Sequence, residues 1–541
     1  MKKFLILFAV FAFILLSGCS NETKTPDNND DEDGDKDIVN DDTGELEEED
    51  EDQEDDSDEE IESYETVQTT EGKVKGFIKD EVISYKGIPF AKPPVDDLRW
   101  KPPASPEKRE DILEAKEFRL ACPQIMQELT GGFVKWDEDC LYLNVYRPDT
   151  VEKDLPVMVF IHGGGYINGS ASFDVYEGTW LASQGVVLVT INYRLGQLGF
   201  LTVPDTEITG NYGTLDQIVA LEWINENIGN FGGNPENITI FGESAGGVSV
   251  GTMLALRPDL FKRAVIQSAT ISYGDQMSKE DAQNVGEMFV KEAGCESAVD
   301  IAECLREKPA KDILETLEGG IFSDGESYGP HVDGELFTDV AYQMVIEGEG
   351  KKIPLIIGTN GDEGTVFTIG YKDHLKTEEQ YETVVKSQFG IIGQSVLDQY
   401  PASDYESPWH AYTDLFGDVV FYCTSILVAR DLHNYNENVR YYHFTHVPDY
   451  GKQTGIGSFH GAELGYLFNT WHDYYKNSEE GYQEVVENIT NLWVDFAYGR
   501  ELEGWAVYGE EENYLEIFSE LEMSFQLKKE KCDFWSTWLK P

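Results

Sequence analysis

Basic charge is scarce in this 541-residue chain: 41 Lys and Arg stand against 102 Asp and Glu, a formal net charge of −61. A surface of that sign repels nucleic acid and anionic lipid, so no nucleic-acid partner is expected. Metal-binding patterns are missing too. Neither CxxC nor HExxH occurs, so no zinc site is expected, and nothing in the sequence asks for a cofactor. Internal repeats are absent. The apolar run Phe4 to Leu16 is too short to span a bilayer core of roughly 30 Å as a helix. What the chain does have is ample apolar matter, 40% hydrophobic and 12% aromatic, enough for a large core.

That short apolar run follows Met1-Lys2-Lys3 and ends in Leu16-Ser17-Gly18-Cys19. A positive start, a short apolar segment and small residues make a secretory signal. The last four positions resemble the bacterial lipobox, which implies cleavage after residue 18 and a lipid on Cys19. Acyl chains on that residue would hold the protein to a membrane, as an extracytoplasmic lipoprotein at the cell surface. Between Ser20 and Glu65 there are 25 Asp or Glu and only Lys24 and Lys36. Such a segment cannot bury enough surface to offset its ordering entropy, so 19–63 reads as a disordered, self-repelling spacer. Residues 64–541 read as one large domain.

Within that domain short β-branched runs alternate with helical stretches. Leu155–Ile161, Val186–Asn192, Ile238–Phe241, Arg263–Gln267 and Pro354–Gly358 are expected as buried strands. Gly213–Ile228 and Ala245–Leu256 are expected as helices. Alternating strand and helix predicts an α/β fold with a mostly parallel sheet covered on both faces.

The chemistry concentrates in Phe241-Gly242-Glu243-Ser244-Ala245-Gly246-Gly247, a G-x-S-x-G between a strand and a helix. In that context the serine sits on a tight turn with its hydroxyl exposed, and the flanking glycines avoid a clash. About eighty residues upstream, His162-Gly163-Gly164-Gly165-Tyr166 follows a strand. Unobstructed backbone amides are what an oxyanion hole needs. Gly164 and Gly165, with the amide of Ala245, are the expected donors. No Lys-Ser/Thr follows, which excludes a phosphate loop.

A serine hydroxyl needs a base. In a G-x-S-x-G enzyme of this kind the order is serine, acid, histidine, so His162 is structural. His331, His374, His410, His433, His443, His446 and His460 lie downstream. His443 and His446 fall in the strand-like Arg440–Val447, whereas His460 sits in a loop of small residues, where catalytic groups gather. For the acid, Asp362 and Glu363 after the strand Pro354–Gly358 are both chemically able to orient an imidazole.

Gly72–Gly76, Tyr85–Pro94, Leu98-Arg99-Trp100, Glu138–Val145 and Phe241–Gly247 together resemble the type-B carboxylesterases, the group that includes bacterial para-nitrobenzyl esterases and cholinesterases. The resemblance covers nearly everything after Tyr64. It implies an α/β-hydrolase fold, with a large mostly parallel central sheet flanked by helices, and a cofactor-free serine esterase acting on small-molecule esters through an acyl-enzyme. It also implies that the acid is Glu363 and the histidine His460, completing a triad with Ser244. The six cysteines after Cys19 are implied to pair as Cys122–Cys140, Cys295–Cys304 and Cys423–Cys532. Trp136 is out of register with the choline-binding tryptophan of the cholinesterases, so choline-ester specificity is not implied. A lipase or an amidase or carbamate hydrolase would use the same triad. A non-enzymatic binding relative would lack the serine.

Overall fold

The computed structural model describes residues 64–125, 134–269, 271, 276–316, 328–471 and 479–539. The leader, Cys19 and the acidic spacer lie outside them. The strands are β1 (Tyr64–Thr69), β2 (Gly72–Lys79), β3 (Val82–Pro89), β4 (Leu113–Glu114), β5 (Tyr142–Pro148), β6 (Leu155–Ile161), β7 (Val187–Ile191), β8 (Gly233–Glu243), β9 (Arg263–Gln267), β10 (Leu355–Asn360), β11 (Val439–Phe444), β12 (Asn513–Ile517) and β13 (Leu521–Phe525). They form one sheet in the order β1-β2-β3-β5-β7-β6-β8-β9-β10-β11-β12-β13, with β4 beside β2. From β7 to β12 every pairing is parallel. The pairings on either side of that block are antiparallel, except that the short β4 runs parallel to β2.

The parallel block explains why its strands read as continuous apolar runs. β6 is buried along its whole length. Its alternate residues enter opposite cores: Val157, Val159 and Ile161 one, Met158 and Phe160 the other. Helices α1 (Tyr212–Asn227) and α2 (Ala245–Leu256) cover the first face. Helix α5 (Tyr482–Tyr498) covers the second with Val485, Ile489, Trp493 and Phe496. Further along the chain, α3 (Pro408–Gly417) and α4 (Cys423–His433) precede β11, and α6 (Lys529–Leu539) closes the described chain. The expected strand Arg263–Gln267 and helix Ala245–Leu256 have those bounds in the structure. β8 is longer than the apolar run Ile238–Phe241, because its polar start at Gly233 pairs with Leu155.

Three disulfides are present: Cys122–Cys140, Cys295–Cys304 and Cys423–Cys532. They are the pairs the resemblance implied. No helix among the described residues is long and apolar enough to cross a membrane.

Candidate active site

Ser244, the glycine run and the acid loop follow the carboxyl ends of β8, β6 and β10 in the parallel block, and His460 is brought to the acid loop there, where ligands of open α/β sheets bind. Ser244 joins β8 to α2 with φ 56° and ψ −126°, a conformation disfavoured for any residue with a Cβ. It is held there because its amide donates to Gln267 O of β9 at 2.9 Å and its carbonyl accepts from Val248 N at 2.9 Å. The glycines on either side allow the turn. A Cβ at Gly246 would stand 2.0 Å from Ile161 O, and one at Gly242 2.6 Å from the Gly246 backbone.

The glycine run lies beside this turn, at the end of β6. A Cβ on Gly163 would meet Glu243 O at 2.6 Å and Ser244 Cβ at 3.1 Å, so only glycine lets the run approach the serine. Gly164 has φ +103°, and its carbonyl accepts from the amides of Ile167 and Asn168, which folds the run into a turn. Ala245 opens α2, so its amide belongs to a helix N-terminus, where negative charge is favoured. His162 is buried away from this chemistry. Its Nδ1 donates to Gly163 O at 2.9 Å, its ring stacks on Tyr193 at 4.4 Å, and burial pushes the imidazole down to about 4. It is a neutral packing residue, as expected.

β10 delivers the acid. Glu363 is fully buried; its Oε1 accepts from Asn360 N at 2.6 Å and its Oε2 from His460 Nδ1 at 2.6 Å. Asp362 does something else. Its carboxylate accepts from Ser458 N at 2.8 Å, and its own amide donates to Ser458 O at 2.8 Å. It clamps the acid loop to the loop that carries His460. Gly457, with φ +67°, is needed for that clamp, since a Cβ there would fall 2.0 Å from Asp362 Oδ2. Of the two candidate acids the structure therefore brings Glu363, not Asp362, to the imidazole. Of the histidines it brings His460. His443 is packed in β11, where burial pushes it down to about 3, and His446 pairs with Glu479 at 2.5 Å. The ninth histidine of the chain, His472, is not among those candidates and lies outside the described residues.

Two further carboxylates surround the imidazole that sequence reasoning passed over. Glu243 Oε1 stands 3.0 Å from His460 Nε2, yet neither atom makes a hydrogen bond to a described group. Glu463 is fully buried and accepts from Gln267 Nε2 at 3.0 Å and Asn360 Nδ2 at 2.5 Å. Burial raises both carboxyls above their ordinary range. For the imidazole, burial acts downward. The carboxylates of Glu243 and Glu363 and the hydrogen bond to Glu363 outweigh it and push His460 up to about 9. The signal for both residues was in view: Glu243 is the variable position before the motif serine, and Glu463 closes His-Gly-Ala-Glu. Phe367 and Phe421 wall the ring, with centroids 5.0 Å and 4.6 Å away. No group of three or more His, Cys, Asp or Glu side chains among the described residues is arranged to hold a metal ion.

A serine on a strained strand-to-helix turn, a glycine loop beside it and a carboxylate-bound imidazole are the parts of an acyl-transfer site. The sequence profile of the carboxylesterase family matches residues 63–535. The chain is 34% identical to the para-nitrobenzyl esterase of Bacillus subtilis over 473 residues, 83% of this chain and 94% of that protein. It is 32% identical to the cholinesterase of Mus musculus over 524 residues, covering 87% and 86% respectively. To the fumonisin B1 esterase of Sphingopyxis macrogoltabida it is 35% identical over 418 residues, 74% of each. The chain thus belongs to the carboxylesterase family, and it is a serine hydrolase of carboxylic esters with the α/β-hydrolase fold.

Proposed function

We propose that Ser244, Glu363 and His460 are the catalytic triad of this esterase, and that the amides of Gly164, Gly165 and Ala245 are its oxyanion hole. The observation that carries the reading is the 2.6 Å bond from His460 Nδ1 to Glu363 Oε2, which fixes the tautomer and leaves Nε2 as the base. Nε2 takes the Ser244 proton as Oγ attacks the ester carbonyl carbon. The carbonyl oxygen becomes an oxyanion held by the three amides. The C–O bond to the alcohol then breaks, with Nε2 returning the proton to the leaving oxygen. Water, deprotonated by the same nitrogen, attacks the acyl-enzyme and releases the acid and Ser244. A fluorophosphonate probe should label the purified protein and fail to label Ser244→Ala; labelling that survives that substitution would sink the assignment. Turnover on butyrate against palmitate esters, and on an amide, separates a short-chain esterase from a lipase or an amidase.

The finer address goes with this reading. Removal of residues 1–18 and acylation of Cys19 would place the catalytic domain outside the cytoplasm on a membrane. The spacer 19–63 would hold it off by on the order of 35 Å as a random coil. What supports this is the sequence Leu16-Ser17-Gly18-Cys19 after a short apolar segment, together with disulfides that suit an oxidising compartment. Metabolic labelling with an alkynyl fatty acid should mark the native chain, and Cys19→Ala should abolish both the label and membrane retention. Retention of Cys19→Ala in the membrane fraction would argue against the anchor.

A further inference from the structure

Between α3 and α4 the helix does not break. Over Asp418–Tyr422 it widens into a π turn, in which the amide of Cys423 reaches back five residues to Asp418 O. The widened turn leaves carbonyls without their usual partners, and side chains on the next turn take them. Thr424 Oγ1 donates to Val420 O at 2.8 Å, and Ser425 Oγ donates to Phe421 O at 2.7 Å and Tyr422 O at 3.0 Å. A π turn holds one residue more than a helical turn. It is uncommon, and it gathers at functional sites.

Its two consecutive aromatics reach both halves of the His–Glu pair. Phe421 lies 4.6 Å from the His460 ring and also stacks on Phe367, the other wall of that ring, at 5.5 Å. The Tyr422 hydroxyl donates to Asn360 O. Asn360 is the residue whose amide donates to Glu363 Oε1 and whose side chain donates to Phe459 O, next to His460, at 2.9 Å. Removing the extra residue would rotate everything beyond it by about 100°, and the two contacts could not be made together.

The turn is fixed from its far side. Lys528 Nζ sits 4.1 Å over the Tyr422 ring and bonds Asp418 Oδ1 at 2.5 Å, and the next residue, Cys423, is tied to Cys532 of α6.

We propose that the π turn Asp418–Tyr422 is a positioning device for the triad, in which Tyr422 sets the acid loop through Asn360 and Phe421 limits the swing of the imidazole. This rests on the triad reading above. The test uses the full chain, with kcat and KM for a para-nitrophenyl butyrate measured per active site titrated with the fluorophosphonate, so that unfolded protein is not counted. Tyr422→Phe should lower kcat about tenfold, the worth of one hydrogen bond, with KM held within about twofold. Phe421→Leu should lower kcat in the same direction by less. Tyr212→Phe is the structural control. It loses a buried hydroxyl that accepts from Thr209 N at 2.8 Å and is bonded neither to the π turn nor to the acid and histidine loops, so its melting temperature should fall while kcat per site stays. Wild-type kcat in Tyr422→Phe, or an equal loss in Tyr212→Phe, overturns the proposal. If Tyr422→Phe yields no folded protein, Phe421→Leu decides, and an unchanged kcat there overturns it. Absence of probe labelling in the wild type would bring down the triad reading and this proposal with it.

Discussion

Two clusters of buried or half-buried charge lie on either side of the π turn, and they are built differently. Outside it, Lys528 and Lys531 face Asp414 and Asp418, two cations to two anions. Lys528 Nζ bonds both aspartates at 2.5 Å and Lys531 Nζ bonds Asp414 Oδ2 at 2.5 Å. Tyr405 and Tyr400 hydroxyls donate to Asp414 and Asp418 at 2.7 Å and 2.8 Å. Every carboxylate oxygen of the pair is engaged. Although burial works upward, the two ammonium groups hold Asp414 well below the ordinary carboxylate range. Inside the turn, Glu243, Glu363 and Glu463 crowd one imidazole. There Glu243 Oε1 and His460 Nε2 face each other without a hydrogen bond. A cluster that only holds the fold together satisfies all its atoms. One that moves a proton leaves the base nitrogen and a facing carboxylate oxygen unspent.

The comparison breaks most sharply at Glu363. Glu363→Gln keeps the shape of the side chain but removes the charge that stabilises the imidazolium and the acceptor that fixes its tautomer. We expect kcat to fall by about 10⁴, as for an aspartate-to-asparagine change in a serine protease triad. The fold should survive, because Asn360 N can still donate to the amide oxygen. Circular dichroism with kcat per titrated site checks both halves.

The outer cluster should respond in the opposite way. Lys528→Met leaves Asp418, fully buried, with the Tyr400 hydroxyl and, as its nearest cation, the more distant Lys531 at 3.9 Å. Breaking one partner of a buried pair costs about 3 kcal/mol or more. A drop of that size in urea denaturation, with kcat per folded site reduced only as far as the π turn relaxes, would sustain the contrast. A variant as stable as the wild type would remove it.

How much of this was legible depends on what the residues pack against. Strands buried on both faces announce themselves, since β6 and the middle of β9 carry side chains into two cores and hold no polar residue there; only the ends of β9, Arg263 and Gln267, are polar. The antiparallel edge β1–β3 did not, because its buried positions are interspersed with exposed or half-buried ones and its residues mix Glu, Lys and Gly among the apolar ones. The polar start of β8 was invisible for another reason: Gly233 is placed by pairing with Leu155, not by its own propensity. Ser244 and the glycine run were legible because a tight turn and a close backbone approach admit few residue types. Asp362 and Glu363 were not separable by chemistry. Only the partner of each carboxylate, Ser458 N for one and His460 Nδ1 for the other, tells clamp from acid. The π turn leaves no trace in periodicity, because one extra residue looks like helix on both sides.

The smallest expected effect sharpens the comparison most, because it tests the unspent pair itself. The base works only as neutral imidazole, and an unperturbed histidine would place the acid limb of kcat/KM near 6.5. Here His460 is pushed up to about 9 by carboxylates that outweigh burial. A raised value means that protonation, and loss of activity, begins at higher pH. The acid limb of the free enzyme should therefore lie above 6.5, giving an alkaline optimum. Glu243→Gln removes one of the charges responsible while Glu363 keeps the tautomer, so the limb should move down in pH. At the plateau kcat/KM should change by less than about tenfold, because the Glu243 carboxylate makes no hydrogen bond to the ring. A limb that stays in place in Glu243→Gln would mean that the second carboxylate is already protonated in the working enzyme. In that case burial, and not the imidazole, sets its state.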